Sequence, residues 1–453
     1  MRKSRLLAGV ALLSLVTVLV AACMPQQPTP GIETPVMSQP PVPVSETPAV
    51  LQPPVSAPET PSVPSPPPES NLRYVIVDTA QDECYGDARK ISCPQSGEAF
   101  YGQDAQYQGI QPAYRDNGDG TVTDLNTGLI WQQDPGDKVT YEEAVINASV
   151  FNLAGYDDWR LPTIKELYSL IVFSGTDPSG PQGERNAVPF IDTGYFDFKY
   201  GDTAAGERVI DSQYISSTRY VATTMNGDET AFGVNFADGR IKGYGLTDPR
   251  TRRGKTFYVV YVRGNTDYGA NNFSDNGDET VTDRATGLMW SQSDSGEGMD
   301  WDGALAWVRQ KNEENYLGYN DWRLPDAKEL QSIVDYTRAP DVTKSAAIDP
   351  VFRVTSIPNK GDETDYPFYW TGTTHVNSTA GGGSAVYIAF GRGLGWMEVP
   401  PGSGNRRLLD VHGAGTQRSD PKTGNPADYP YGHGPQGDVV RIYNFVRCVR
   451  DAG

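Results

Sequence analysis

The chain has 453 residues, with 38 Lys and Arg against 57 Asp and Glu, a net charge of −19. That acidity argues against nucleic acid and other polyanions as partners. With 38% hydrophobic and 10% aromatic residues, the chain as a whole is too apolar to be disordered.

The first residues read as an export signal. Arg2, Lys3 and Arg5 form a basic n-region, Leu6 to Val20 is an apolar run, and Val20-Ala21-Ala22 precedes Cys23. A short apolar run ending in small residues is the pattern of a cleaved signal peptide, expected over 1–22. Cys after Val-Ala-Ala resembles the bacterial lipobox, which makes Cys23 the expected lipid-attachment site and the membrane a partner through that anchor. Loss of the three basic signal residues takes the net charge to −22. Met24 after Cys23 lacks the Asp that holds such lipoproteins at an inner membrane, so the expected location is the cell envelope, at the outer membrane or cell surface.

Residues 23–71 carry sixteen prolines between Pro25 and Pro68. Proline fixes φ and removes a backbone donor, so neither sheet nor long helix is expected there. The segment reads as a disordered, semi-rigid stalk reaching at most about 145 Å at ~3.1 Å per residue. Beyond it, Cys84 and Cys93 stand close together in "ECYGDARKISC" and are expected to form a disulfide. Cys448 is left over, as a buried thiol.

From Asn117 the chain writes "NGDGTVTDLNTGLIW", and from Asn276 "NGDETVTDRATGLMW", identical at eleven of fifteen positions. "GYDDWRLPTIKEL" from Gly155 matches "GYNDWRLPDAKEL" from Gly318, "YISST" from Tyr214 answers "YWTGT" from Tyr369, and Val262-Arg263 answers Val449-Arg450. The order is kept, so one domain is duplicated, over 72–264 and 265–453, each copy expected to bury its own core. In each copy "TVTD" and "GLIW" or "GLMW" predict a hairpin. Thr140 with Glu143, Thr163 with Glu166 and Asp326 with Glu329 predict capped helices, the last two behind Pro162 and Pro325; a further helix is expected from Asp300. The expected fold class is α+β, two short helices and irregular antiparallel sheets per copy, with the terminal strands pairing at an edge.

Taken together, "DNGDGTVTD", "TGLIW", "DWRLP" with "KEL", the Tyr-Trp-Thr-Gly-Thr block and the closing "RCVR" resemble the Lcl C-terminal domain family, named after a collagen-like Legionella adhesin. The resemblance covers 72–453. It implies tandem C-type-lectin-like domains and adhesion through an extracellular glycan or protein ligand. The redox cysteines of the distantly similar formylglycine-generating enzymes have no match here.

Three sets of residues invite a chemical role. Asp116, Asp119, Asp275 and Asp278 offer oxygen donors of the kind calcium takes. Gly118 and Gly120 break the EF-hand register, and Asn-Gly and Asp-Gly serve equally as positive-φ turns. The turn is the expected role; no cofactor is expected, with calcium the cation these four would hold. Asp158-Trp-Arg160 and Asp321-Trp-Arg323 could pair a base with an oxyanion partner, but a hydrogen-bonded corner beside a helix cap is the expected use. The histidines are His375, His412 and His433, all in the second copy; His412 and His433 near Asp410 and Asp438 are the alternative, a metal-dependent envelope enzyme. No Ser-His-Asp order, Cys-His pair or phosphate loop occurs, so no catalysis is expected. The long insertion of the second copy, Gly381 to Gly395 followed by Pro400 to Pro435, reads either as a ligand face, with Tyr387, Trp396, Arg406, Arg407 and Arg418 as binding candidates, or as a loop packed over the domain.

Overall fold

In each copy the chain turns first at the repeated acidic segment. Strands β1 (Tyr114–Asp116), β2 (Thr121–Asp124) and β3 (Ile130–Gln132) form an antiparallel meander. Asp116 Oδ1 accepts from the Gly118 N–H at 2.8 Å, and Asp119 Oδ1 accepts from the Thr121 N–H and hydroxyl at 3.1 and 2.6 Å. Asp124 then accepts from the Asn126 and Thr127 N–H groups and closes the next turn. A computed structural model describes residues 72–180, 186–248 and 251–453. The signal segment 1–22, Cys23 and the stalk 23–71 lie outside the described residues.

Helices α1 (Tyr141–Ala148) and α2 (Ile164–Ser169) begin at Thr140 and Thr163, each with its capping box closed. Strands β4 (Gln213–Arg219), β5 (Thr230–Asn235) and β6 (Arg240–Gly245) follow, and β7 (Val262–Arg263) returns to pair with β3, Val262 opposite Trp131. The second copy repeats this with β8 (Phe273–Asp275), β9 (Thr280–Asp283), β10 (Leu288–Ser291), α3 (Trp301–Glu313), α4 (Ala327–Ser332), β11 (Phe368–Asn377) and β12 (Gly381–Ala389). Here the chain departs from the repeat. A hairpin of β13 (Leu394–Glu398) and β14 (Arg406–Asp410) is inserted before β15 (Gln417–Pro421), and β16 (Val449–Asp451) closes against β10. Sheets are mostly antiparallel and helices few. No helix among the described residues is long and apolar enough to cross a membrane.

The two copies do not bury separate cores, as the duplication alone suggests. Strand order β11-β12-β15-β6-β5-β4 makes one six-stranded sheet whose halves come from different copies, joined where Gln417 opposes Ile241. One apolar cluster takes Trp131, Leu167 and Phe232 from the first copy and Trp290, Leu330 and Ile388 from the second. Each copy adds a smaller cluster of its own, around Trp159 in the first and around Trp301 and Trp322 in the second.

The reason lies in helices α2 and α4, whose lysines are exchanged. Lys165 donates to the Ser332 carbonyl at the end of α4 (2.6 Å), and Lys328 donates to the Ser169 carbonyl at the end of α2 (2.9 Å). Reciprocal contacts of this kind are what a two-fold interface makes. Burial pulls both ammonium groups down to a pKa of about 8.

The N-terminal segment straps across this join. Gln81 is bonded to both the N–H and the carbonyl of Thr374 in the second copy and to the Phe173 carbonyl in the first. The expected Cys84–Cys93 disulfide is present and closes a small hairpin. That hairpin rests on Gly381 to Gly383, where a Cβ on Gly382 would run into the Tyr85 ring. Cys448 is the buried free thiol expected of it, and burial pushes its pKa up to about 12.

Candidate functional site

The inserted hairpin of the second copy builds the most ligand-like surface. Its register sets Trp396 opposite Leu408 and Glu398 opposite Arg406. Successive strand residues alternate faces, so Trp396, Glu398 and Arg406 share one side and Arg407 lies on the other. The segment 431–437 is pinned against that side: the Trp396 N–H donates to the Gly437 carbonyl at 2.8 Å. Gly437 has φ +60°, and a Cβ there would collide with the Trp396 backbone, so this approach requires glycine.

The result is a cleft of about 380 Å³ lined by Trp396, Glu398, Pro401, Arg406, Tyr431 and Pro435. The Trp396 and Tyr431 rings meet edge to face, 6.0 Å between centres and 89° apart. The Arg406 guanidinium lies 4.5 Å from the Tyr431 ring centre, with Glu398 at 3.9 Å. Tyr431 is 51% exposed. An aromatic corner with a guanidinium and a carboxylate at its rim suits a ligand with one apolar face and several hydroxyl or amide groups. Tyr431 is absent from the residues singled out by sequence; its signal is "YPYGHGPQG", an aromatic held between prolines and glycines.

Two of the binding candidates do other work. Tyr387 is 4% exposed and stacks on Phe368 at 4.4 Å between ring centres, inside the second copy's own cluster. Period-two alternation places Tyr387 on the face covered by α3, so it cannot offer its ring to a ligand. Arg418 is half-buried and ion-paired with Asp438. Burial, followed by the neighbouring Arg240 charge, lowers its pKa to about 10. Trp396 and Arg406 remain in the cleft, and Arg407 is exposed behind it.

His412 and His433 do converge on Asp438, through different atoms. His412 Nε2 sits 2.8 Å from Asp438 Oδ1, while His433 meets Asp438 through backbone hydrogen bonds. Burial and the Arg418 charge lower the pKa of His412 and favour its neutral form. Among the described residues no three His, Cys, Asp or Glu side chains gather as metal ligands. Asp275 and Asp278 repeat the turn bonds of Asp116 and Asp119, accepting from Gly277 at 2.8 Å and from Thr280 at 3.1 and 2.6 Å.

The repeated Asp-Trp-Arg also serves the framework. Asp158 pairs with Arg263 at 2.6 Å, and Arg160 with Glu166 at 2.5 Å, the same Glu that closes the α2 capping box. In the second copy Asp321 pairs with Arg450 at 2.7 Å and Arg323 with Glu329. These corners lock the terminal strand to the start of a helix, once per copy.

A family model for the Lcl C-terminal domain matches residues 120–263 and again 279–405, together more than half of the chain. The second match stops in the turn of the inserted hairpin, so β14 and the 431–437 segment lie beyond it. No curated protein and no solved structure matches the chain. The chain belongs to the Lcl C-terminal domain family and carries two copies of that domain in tandem.

Proposed function

We propose that this is a surface-associated, adhesin-like protein of the cell envelope that binds an extracellular glycan or protein without catalysis, and that the Trp396–Tyr431–Arg406 cleft holds the ligand. The cleft carries the reading: it places an exposed aromatic corner and an exposed cation on an elaboration that the first copy lacks. Family membership supports the adhesin-like part. A glycan array probed with residues 72–453 should give binding that Trp396→Ala and Tyr431→Ala each weaken by roughly tenfold or more, the scale of one lost stacking contact, with the melting temperature unchanged. Binding that survives both substitutions would move the site elsewhere. Binding lost in chelator would return the acidic turns to consideration as cation ligands.

The rival is a metal-dependent envelope enzyme using the His412 and His433 loops, which meet at Asp438 through the His412 ring and the His433 backbone. Stoichiometric metal in purified protein, lost with His412→Ala, would support it over binding alone.

The anchor is a separate proposal, resting on Val20-Ala21-Ala22-Cys23 and the proline-rich stalk. Acyl chains contribute about 0.8 kcal/mol per buried methylene, so several together hold a soluble body on a bilayer. Cys23→Ser should shift the protein from the membrane fraction to the soluble fraction and abolish metabolic labelling with palmitate. Labelling that persists in the variant would exclude Cys23 as the acceptor.

A further inference from the structure

The duplication supplies an internal comparison between two equivalent places, one filled and one open. In the second copy the Ala327 N–H donates to the Thr373 hydroxyl at 3.0 Å, and that hydroxyl donates onward to Asp104 Oδ2 at 2.6 Å. Asp104 belongs to the N-terminal strap and also accepts from Thr79 at 2.8 Å. The same strap satisfies Phe173: its N–H donates to the Thr79 carbonyl at 2.7 Å, and its carbonyl accepts from Gln81 at 3.3 Å. An extended stretch bearing Thr79 and Gln81, backed by Asp104 from a 3-10 turn 25 residues after Thr79, therefore seals this side.

Equivalent residues of the other side follow from the repeat. "YISST" over "YWTGT" aligns Thr218 with Thr373, and "DWRLPTIKEL" over "DWRLPDAKEL" carries Phe173 onto Tyr336. The Ile164 N–H donates to the Thr218 hydroxyl at 3.0 Å, as Ala327 does to Thr373. Beyond that point the likeness stops. Among the described residues the Thr218 hydroxyl donates to nothing, and the N–H and carbonyl of the half-buried Tyr336 have no hydrogen-bond partner. Among the described residues only the short link between the copies runs here, and a cleft of about 630 Å³ is left, with Thr163, Lys165, Thr218, Asn271, Asp335 and Tyr336 among its walls. Backbone groups on a cleft wall that no part of the chain pairs are available to a ligand, as the equivalent Phe173 groups are to the strap.

We propose that this cleft is a second binding site, distinct from the hairpin cleft, which takes an extended peptide segment of another protein chain. The strap shows what chemistry fits: a backbone carbonyl for the Tyr336 N–H, a side-chain amide for its carbonyl, and an oxygen acceptor for the Thr218 hydroxyl. The volume is that of an ordinary ligand site, and recognition runs through main-chain hydrogen bonds supplemented by small polar side chains.

The strap sequence itself is the first probe. A fluorescein-labelled peptide of residues 74–83, carrying a photo-crosslinker in place of Val77, is titrated against residues 72–453. The expected result is saturable polarisation, crosslinks within 266–273 or 333–336, and binding roughly tenfold weaker when the peptide carries Gln81→Leu, the scale of one hydrogen bond to a group left unpaired. That change is made in the peptide alone, so the fold of residues 72–453 is untouched. Any of three results would overturn the assignment: no saturable binding up to about 1 mM, the weak limit of useful recognition; crosslinks at Phe173 or Thr373, meaning exchange with the native strap; or binding at this cleft by a neutral oligosaccharide and not by the peptide.

Discussion

Arg240→Met is expected to destabilise the folded chain by about 3–5 kcal/mol, the usual result of removing one partner from a buried ion pair. Arg240 lies on β6 at the seam of the six-stranded sheet. It donates to Asp177 Oδ2 at 2.7 Å and lies 3.4 Å from Asp238 Oδ2, and those carboxylates are 0% and 1% exposed. It also reaches across the seam to the Ser419 hydroxyl at 3.4 Å. Asp177 in turn joins the copies through its backbone, donating to the Val376 carbonyl at 2.9 Å and accepting from Ser378 at 2.9 Å. Methionine fills the volume but leaves Asp177 as an uncompensated buried charge.

The pH dependence follows from the sign of the Asp177 shift. Burial raises its pKa, but the Arg240 charge, the His375 charge and the hydrogen bonds from Ser179 together outweigh burial and hold the carboxyl well below the usual range. A depressed carboxyl pKa contributes stability above the unfolded value of about 3.9, and that stability is lost only as pH falls through the lower folded value. Without Arg240, burial is opposed only by His375 and the hydrogen bonds from Ser179, and Asp177 becomes easier to protonate. The penalty of Arg240→Met should therefore be largest near pH 7 and shrink towards about pH 4 as the carboxyl takes up its proton. Urea denaturation of both proteins across that range measures it. A penalty that is constant with pH would mean that lost packing, not the stranded charge, is responsible.

Trp290→Ala is expected to cost about 3–5 kcal/mol, as deletion of a fully buried indole does, and to lower one unfolding transition for the whole of 72–453. Trp131→Ala should do the same to the same transition. Both rings are 0% exposed, both sit opposite a valine of the terminal strand, and both belong to the one cluster that spans the copies. Calorimetry separates the possibilities. A biphasic trace in which only half of the heat absorption moves would mean that the copies fold independently and that the shared cluster couples them weakly. A single displaced peak in both variants supports one cooperative unit.

Features that rest on near neighbours in the chain are legible in the sequence alone. Thr140, Thr163 and Asp326 cap their helices because the partner Glu lies three residues on, and that geometry is local. The acidic turns, the Cys84–Cys93 bridge and the pairing of β7 and β16 at their sheet edges stand on the same footing, each written in a short segment or in the repeat itself. Half of the hairpin cleft was also readable, since Trp396 and Arg406 stand in a stretch the first copy does not have. What stayed hidden depends on which surfaces meet. Tyr387 looks like a binding aromatic until α3 is seen to cover its face of the sheet, and Arg418 looks free until Asp438 reaches it from 20 residues away. β15 reads "QRSDP", with no apolar alternation to announce a central strand, and its partner Ile241 lies 176 residues earlier. The amino-acid sequence by itself determined the duplicated domain, because the repeat is written in it, and the turns, caps and disulfide, because each is set by contacts within a few residues. Only the tertiary structure decided that the two copies share one sheet and one core, because that follows from how their apolar faces and exchanged lysines meet across the seam.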